Sequence, residues 1–241
     1  MKTMIHQAKT RGHSNYGWLD THYTFSFANY YDPGRIHFGA LRVLNDDHIA
    51  GGGGFDLHPH DNMEIITIVL NGELEHKDSM GNTGTIHRDE VQVMSAGTGI
   101  RHSEDNKHAE MPLELLQIWV FPEKKNITPR YEQRDFSPGE RINNWQMLVS
   151  PDQGQGLTIQ QDACFSRISL GKKLTADYLL RDPAHGVYLF LIEGSVEISG
   201  IRLDKRDGIE ISNSASVSMK ALADSDILLM EIPMTFSDFI E

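Results

Sequence analysis

Two short motifs, each with a pair of potential metal ligands, are the most chemically informative part of the sequence. His58 and His60 flank Pro59 in GGGGFDLHPHDNMEIITIVLNG, and His102 and Glu104 have the same spacing in VQVMSAGTGIRHSEDN. On an extended backbone, side chains at positions i and i+2 point to the same face of the strand. Each pair can therefore direct both of its ligands at one ion, and Pro59 stiffens the first pair by restricting one backbone angle.

The combination of the two pairs predicts a mononuclear metal centre. A single His-x-His pair is weak evidence, since such pairs also occur on surfaces, but here both pairs follow glycine-containing segments. Three imidazoles and one carboxylate suit a divalent first-row metal and leave two octahedral positions open for substrate or water. We expect Fe(II), because N/O sites with vacant positions support oxygen chemistry, while the residue types leave Mn, Ni, Co, Cu and Zn open.

The elements that must position these ligands are β-strands. Short runs rich in Val, Ile, Leu and Tyr, bounded by Gly, Asn, Asp or Ser, recur along the chain and predict an all-β fold. Long segments with helical periodicity and capping residues are absent from the sequence. The predicted strands cover residues 40–43, 64–70, 72–78, 85–87, 92–96, 113–121, 146–150, 157–161, 163–170, 175–180, 187–193, 195–198, 208–211, 216–221 and 226–232.

Two segments that resemble hairpins match each other loosely, EIITIVLNGELEH in the first half and VYLFLIEGSVEIS in the second. Each has an apolar run, a glycine turn and an alternating strand, which indicates two related β modules. Residues 122–144 are polar and contain proline, as is typical of a linker. The second half has His185 but neither ligand motif. We therefore predict a metal-binding N-terminal domain at residues 1–133 and a C-terminal domain without metal ligands at residues 134–241.

Composition restricts the classes of partner. The chain has 241 residues and a formal charge of −12 with neutral histidines. An acidic surface repels phosphate, which argues against direct binding to nucleic acid and against attachment to anionic membranes. No apolar run is long enough to span a bilayer, no segment of secretory type is visible, and the single cysteine, Cys164, excludes an intramolecular disulfide. We expect a cytoplasmic monomer.

Several blocks that include both motifs are similar to the pirin family of the cupin superfamily. They are RGHSNYGWLDTHYTFSFANYYDP, FGALRVLNDD, HPHDNMEIITIVLNGELEHKDSMGN, MSAGTGIRHSE and LQIWVFPEKKNITPRYEQ, and they cover most of residues 11–133. The second half resembles the family mainly in its pattern. The resemblance implies a bicupin, in which two antiparallel β-barrels of the jelly-roll type pack side by side and the N-terminal one holds iron.

The resemblance also assigns residues. It implies that the metal ligands are His58, His60, His102 and Glu104, the set that the spacing indicates. Glu64 lies where the general cupin motif supplies a carboxylate ligand, so it is a rival to Glu104 or a hydrogen-bond partner of a ligand. We further expect His76 to lie close to the site.

The function implied by the resemblance is that of a quercetin 2,3-dioxygenase, which opens the central ring of a flavonol with O2. In such a reaction Glu104, or a neighbouring acid, would act as the general base that takes the flavonol hydroxyl proton. Two alternatives stay open at this point. One is a non-enzymatic regulator that senses metal or redox state and binds protein partners, and the other is a cupin enzyme acting on a different small molecule.

Two further groups of residues have open roles. Phe25, Phe27, Met94 and Trp119 either line a substrate pocket or pack in the core. The tail MTFSDFIE either frays or docks as a strand.

Overall fold

The structure is a computed structural model that describes residues 1–236, so residues 237–241 of the tail lie outside the described part. The first half contains strands β1 (Lys2–His6), β2 (Gly12–Asn15), β3 (Leu19–Tyr23), β4 (Leu41–Ile49), β5 (Gly54–His60), β6 (Glu64–Asn71), β7 (Glu73–Asp78), β8 (Thr83–His87), β9 (Glu90–Ser95), β10 (Ile100–Asp105), β11 (Leu113–Val120) and β12 (Arg130–Asp135). A short 3₁₀ turn, Ala8–Thr10, follows β1.

The second half is built in the same way. It contains β13 (Gln146–Ser150), β14 (Leu157–Thr158), β15 (Cys164–Leu170), β16 (Thr175–Leu179), β17 (His185–Glu193), β18 (Ser195–Ile198), β19 (Ile201–Asp204), β20 (Gly208–Ser212), β21 (Ser216–Ala221) and β22 (Ser225–Pro233). A second 3₁₀ turn, Pro138–Arg141, precedes it. Among residues 1–236, no helix has the length and apolar character needed to cross a membrane.

The strands form four sheets, two in each half. In the first half, the seven-stranded sheet β12-β9-β6-β11-β4-β3-β2 packs on the four-stranded sheet β5-β10-β7-β8. In the second half, the sheet β1-β20-β17-β22-β15-β13-β14 packs on β16-β21-β18-β19. Each half thus packs a seven-stranded sheet on a four-stranded one, which confirms the predicted all-β bicupin. Within residues 1–236, hydrogen bonds do not close either pair of sheets into a continuous barrel.

One edge strand of the first half joins the sheet of the second half. Strand β1 pairs with β20 of the second half, in a register that joins Lys2 to Ser212. Strand β12, inside the stretch interpreted as a linker, pairs with β9 of the first half. Its sequence, RYEQRD, has no aliphatic residue because an edge strand of this kind stays partly exposed. The division at residues 133 and 134 stays a prediction, and these pairings show that chain order and sheet membership differ.

The seven-stranded sheets pack against each other through a shared apolar cluster. Strand β6 is buried on both faces, which explains its continuous apolar run. Ile66 and Ile68 face the second half and belong to the same cluster as Phe190 and Leu228. Ile65 and its neighbours at alternate positions face the inside of the first half.

A row of polar side chains crosses this inner face. Thr67 lies opposite Gln92 on one side and Gln117 on the other, Gln117 lies opposite Asn45, and Asn45 lies opposite Tyr23. All five side chains are buried or nearly so. We call them the polar row. It separates two inner apolar clusters, one of Leu19, Ile49, Val69, Leu74, Ile86, Leu113 and Leu115, the other of Ile65, Met94, Ala96 and Ile100.

The four consecutive glycines that precede the first ligand pair are needed sterically. Gly52 has φ +73°, in the left-handed region that favours glycine. A Cβ on Gly54 would lie 2.7 Å from the backbone oxygen of Glu104, so only glycine lets β5 approach β10 this closely. The glycine stretch therefore brings the strands of the two ligand motifs together.

Candidate metal centre

The three predicted histidine ligands converge on one point. Strands β5 and β10 are antiparallel neighbours, and His58 lies directly opposite His102. The ring centroids of His58 and His102 are 4.4 Å apart, and His60 lies 4.8 Å from the first and 4.9 Å from the second. One ligand atom of each histidine lies within 4.8 Å of the other two. Three imidazoles in this arrangement can share one ion.

The hydrogen bonding of these imidazoles suits metal binding. The His58 Nδ1 atom lies 2.7 Å from the Asp56 carbonyl oxygen, which can only accept, so Nδ1 carries the proton and Nε2 is free to bind a metal. His102 is buried, and neither of its ring nitrogens has a hydrogen-bond partner among residues 1–236. Buried imidazole nitrogens without partners are unfavourable unless a ligand completes them. The residues present therefore fit a divalent metal.

The protonation states agree with that reading. Burial, with a smaller contribution from His58, lowers the pKa of His60 to about 4. Burial and the neighbouring histidines also hold the pKa of His102 far below its usual range. Both rings are therefore neutral at pH 7, the state in which imidazole binds metal.

Glu104 lies on the same strand as His102 and is buried. Gln117 donates from Nε2 to Glu104 Oε2 at 3.0 Å, and the Thr67 hydroxyl lies 3.5 Å from Oε1. Burial raises the pKa of Glu104 to about 7, against the opposing effect of Gln117. The carboxylate forms a second close group with His76 and His102. Of the three histidine ligands, His102 is the one that this group shares with the cluster of His58 and His60. The assignment of Glu104 as the fourth ligand stays a prediction.

His76 lies beside the site, as the sequence indicated. It is fully buried, its ring is 5.3 Å from that of His102, and it stacks on Tyr131 at 4.7 Å. Its Nε2 atom lies 3.3 Å from Asp78 Oδ2. His76 therefore fills the space behind His102 and Glu104.

The expectation that Glu64 contacts the site is wrong. Its carboxylate accepts hydrogen bonds from Ser95 Oγ at 2.7 Å and from the Gln160 backbone N–H at 3.2 Å. Glu64 is on the face of β6 opposite to Thr67, because residues three apart on a strand face opposite ways. It lies at the contact with the second half.

The histidines open into a cavity of about 250 Å³. Phe27 and Trp119 form an aromatic wall, with ring centroids 5.2 Å apart, and Trp119 lies 4.9 Å from His60. The cavity is lined by Phe27, Asn45, Asp47, Phe55, His58, His60, Ile65, His102, Glu104, Gln117 and Trp119. All four predicted ligands are present. Of the four candidate pocket residues, Phe27 and Trp119 line the cavity, whereas Phe25 and Met94 pack in apolar clusters.

Asn45 and Asp47 of β4 are functional candidates that the sequence interpretation missed. They alternate along the strand and point into the cavity, with exposed fractions of 4% and 3%. Burial raises the pKa of Asp47 to about 7, although the Thr21 hydroxyl opposes this shift. The signal was present in the block FGALRVLNDD, where polar residues interrupt an apolar strand.

The fold and the site define a bicupin protein with a candidate metal centre in its N-terminal half. Comparison with family models agrees: residues 4–120 match the model described as Pirin, and residues 147–232 match the model described as Quercetinase C-terminal cupin domain. The chain is 45% identical over 230 residues to a protein of Escherichia coli strain K12 named quercetin 2,3-dioxygenase, covering 95% of this chain and 98% of that protein. It is 40% identical to a pirin-like protein of Caulobacter vibrioides, covering 91% and 95%. The chain belongs to the pirin family.

Solved structures support the same assignment. The bacterial pirin YhhW of Escherichia coli, in complex with nickel(II), matches with a TM-score of 0.92 and 43% identity, covering 97% of this chain and 100% of that one. A quercetin 2,3-dioxygenase from Acinetobacter baumannii matches with a TM-score of 0.79 at 21% identity, covering 96% and 86%. At that identity, the second match supports the fold alone.

Proposed function

We propose that this chain is a metal-dependent oxidoreductase of the quercetin 2,3-dioxygenase type, which opens the central ring of a flavonol with O2. The observation that carries the proposal is the convergence of His58, His60 and His102 on one side of an aromatic-walled cavity, where neither nitrogen of His102 has a hydrogen-bond partner among the described residues. The name of the E. coli relative supports the choice of reaction. Fe(II) is the metal that we expect, and the nickel(II) complex of YhhW supports a divalent ion in general.

The residues divide into ligands and supporting groups. His58, His60, His102 and Glu104 would hold the metal. A divalent metal bound there supplies Lewis acidity, which lowers the pKa of a bound flavonol hydroxyl. The Asp56 carbonyl keeps His58 in the tautomer with a free Nε2.

Proton transfer is assigned to Glu104. Its carboxyl lies at the wall of the cavity, and a metal bound there would keep it ionised, which is the state that can accept a proton. We propose that Glu104 takes the proton of the flavonol 3-hydroxyl. Gln117 holds the carboxylate by donating to Oε2, which leaves Oε1 directed to the weaker contact with Thr67.

The apolar wall orients the substrate. Phe27 and Trp119 meet nearly at right angles, with an interplanar angle of 87°. Rings at that angle provide an edge and a face against which a planar aromatic molecule can pack. They also exclude water from the reacting centre, which strengthens the electrostatic contacts within it.

Oxygen uptake with quercetin tests the proposal. Iron-loaded protein should consume O2 while the flavonol absorbance is lost, and the His102→Ala variant should do neither. Absence of uptake by wild-type protein that holds Fe(II) would contradict the assignment and favour the regulator that binds protein partners. Repeating the assay with Mn, Ni, Co, Cu and Zn tests the expectation of iron. The monomeric state and the cytoplasmic location stay predictions.

A further inference from the structure

A second cavity adjoins the metal cavity. It has a volume of about 270 Å³ and shares Phe27, Asn45, Asp47 and Phe55 with the first. The rest of its lining comes from β3 and the segments that flank it, and half of these residues are aromatic. We call it the outer cavity because Tyr16, in its lining, is half exposed.

The volumes indicate that the two cavities work together. Pockets for small organic ligands usually exceed about 300 Å³. Each cavity alone falls below that value, whereas the two together lie within the usual range. A planar ligand with more than one ring would therefore occupy both.

The wall between the cavities has unpartnered polar atoms. The Oδ1 atoms of Asn45 and Asp47 are buried, and neither has a hydrogen-bond partner among residues 1–236. Thr21 lies opposite Asp47 in the pairing of β3 and β4 and lines the outer cavity, and its hydroxyl is the neighbouring group that opposes the rise in the pKa of Asp47. Buried polar atoms without partners reduce stability, so their retention at a cavity wall points to a ligand that completes them.

The neighbouring acid provides an internal contrast. Asp46 faces the other side of β4 and accepts from Arg11 at 3.0 Å and from Arg206 at 3.1 Å. No lysine or arginine lines either cavity within the described residues. Strand β4 therefore carries one acid with two arginine partners, Asp46, and next to it an acid without a basic partner at the cavities, Asp47. A group that completes Asn45 and Asp47 must donate a hydrogen bond and be compatible with aromatic walls. A phenolic hydroxyl meets both requirements.

We propose that Asn45 and Asp47 form a polar subsite that accepts hydrogen bonds from the ring hydroxyls of a planar aromatic ligand extending from the metal centre into the outer cavity. The inference rests on the proposed function and adds the substrate class, namely flavonols that carry hydroxyls remote from the metal-binding 3-hydroxyl. Asn45 and Asp47 are then the residues that determine this specificity. Sites built to bind a hydroxyl reject analogues that lack it, because the site's own polar groups are left unpaired.

Ligand affinity tests the subsite without turnover. Quercetin has hydroxyls on both outer rings, whereas 3-hydroxyflavone keeps only the 3-hydroxyl. Both should be titrated anaerobically into nickel-loaded protein, followed by tryptophan fluorescence. Wild-type protein should bind quercetin at least about tenfold more tightly. The preference should nearly disappear in Asp47→Leu and Asn45→Leu, with affinity for 3-hydroxyflavone unchanged, and Asp47→Asn should retain part of it.

The matched control is Gln92→Leu. Gln92 is also buried, also lacks side-chain partners among residues 1–236 and lies in the polar row, but it lines neither cavity. This variant should keep the wild-type preference. Metal content and circular dichroism report whether each variant is folded.

The outcomes separate this inference from the function on which it rests. Equal binding of the two flavonols by wild-type protein, or a preference that survives in both leucine variants, overturns the subsite. If O2 uptake with quercetin is nevertheless present, the dioxygenase assignment stands. A protein that binds neither flavonol overturns both.

Discussion

The two halves share an architecture but differ in what fills it. In the first half, the polar row divides the inner apolar residues into two small clusters, and the metal-site cavity lies against it. In the second half, one continuous cluster of 18 buried residues, counted within the described part of the chain, occupies the inside. The central cross-strand pair Thr67–Gln117 of the first half contrasts with the pair Leu189–Leu229 of the second.

The buried acids differ in the same way. Glu231 of the second half accepts hydrogen bonds from Tyr178 Oη and from the backbone N–H groups of Arg181 and Asp182, and it lies 3.0 Å from His185 Nδ1. Asp47 of the first half has an oxygen with no partner in the described chain. One fold can therefore serve as a packed scaffold or as a binding site, depending on whether its inner polar groups find hydrogen-bond partners within the protein.

The largest expected difference between the halves is in metal binding. His102→Ala should reduce bound metal from about one ion per chain to near zero. The reason is that His102 belongs to both groups of potential ligands, one with His58 and His60 and the other with His76 and Glu104. His185→Ala should leave the metal content unchanged, since its ring is engaged with Glu231. Elemental analysis after dialysis measures both. Loss of metal in the His185 variant would break the contrast.

The next expected effect is on stability, with opposite signs in the two halves. Glu231→Leu should lower the free energy of unfolding by about 3 kcal/mol, because four donors lose their acceptor. Asp47→Leu should raise it by about 1 kcal/mol, because it replaces a poorly satisfied buried acid with an apolar group of similar size. Urea unfolding of metal-free protein at pH 7 checks both. A loss of stability in the Asp47 variant would show that its carboxyl is completed internally.

The pH dependence of metal affinity sharpens the assignment of Glu104. Because burial raises the pKa of this acid from 4.5 to about 7, it must lose a proton when it binds metal near neutral pH. Affinity should therefore rise with pH up to about pH 7, by at most about tenfold per pH unit. Glu104→Gln should bind more weakly and lose this slope. An unchanged slope in the variant would place the titrating group elsewhere.

The same shift has a consequence for metal-free protein. Between the ordinary pKa of 4.5 and about 7, the folded state binds more protons at Glu104 than the unfolded state does. The contribution of Glu104 to the free energy of unfolding is therefore present below about pH 4.5 and is lost as the pH rises towards about 7. Unfolding of metal-free wild-type and Glu104→Gln proteins across this range should show a smaller decline in the variant.

The smallest expected effects concern the groups that hold Glu104. Gln117→Leu places a leucine where the second half has one, in the central cross-strand pair. It removes the 3.0 Å hydrogen bond from Gln117 Nε2 to Glu104 Oε2. It should weaken metal binding by about tenfold at pH 7. Thr67→Val removes the 3.5 Å contact with Glu104 and the 3.3 Å hydrogen bond from the Thr67 hydroxyl to Gln117 Oε1. It should have a smaller effect, because both distances are long for an O–H donor and the bond from Gln117 to Glu104 stays in place. Calorimetric titration measures both, and equal effects would show that distance does not rank these two donors.

Much of the site could be predicted from the sequence because its signals are local. The i, i+2 spacing placed His58 with His60 and His102 with Glu104 on common strand faces, and the structure brings the three histidines together. Every predicted strand overlaps an observed one. The predicted strands do not include β1, β2, β3, β5, β10, β12 and β19, since these are short, polar or partly exposed and lack a strong apolar pattern. For β5 and β10, the sequence predicted only an extended backbone around the two ligand pairs.

The remaining features depend on long-range packing. The pairing of β1 with β20 joins residues from opposite ends of the chain, and local pattern carries no information about such partners. The face of β6 to which the Glu64 side chain points could not be predicted. Both faces of β6 are buried, so its sequence lacks the usual alternation of apolar and polar residues. Asn45 and Asp47 stand in an ordinary strand, and their importance emerges only when the cavities on either side are known.

Anomalous diffraction from crystals of metal-loaded protein would locate the ion and its ligands directly. We expect one ion in the first half, bonded to nitrogens of His58, His60 and His102 and to a carboxylate oxygen of Glu104, with none bound at His185. An ion held instead by His76, His102 and Glu104 without His58 and His60, or a second ion in the other half, would contradict this assignment.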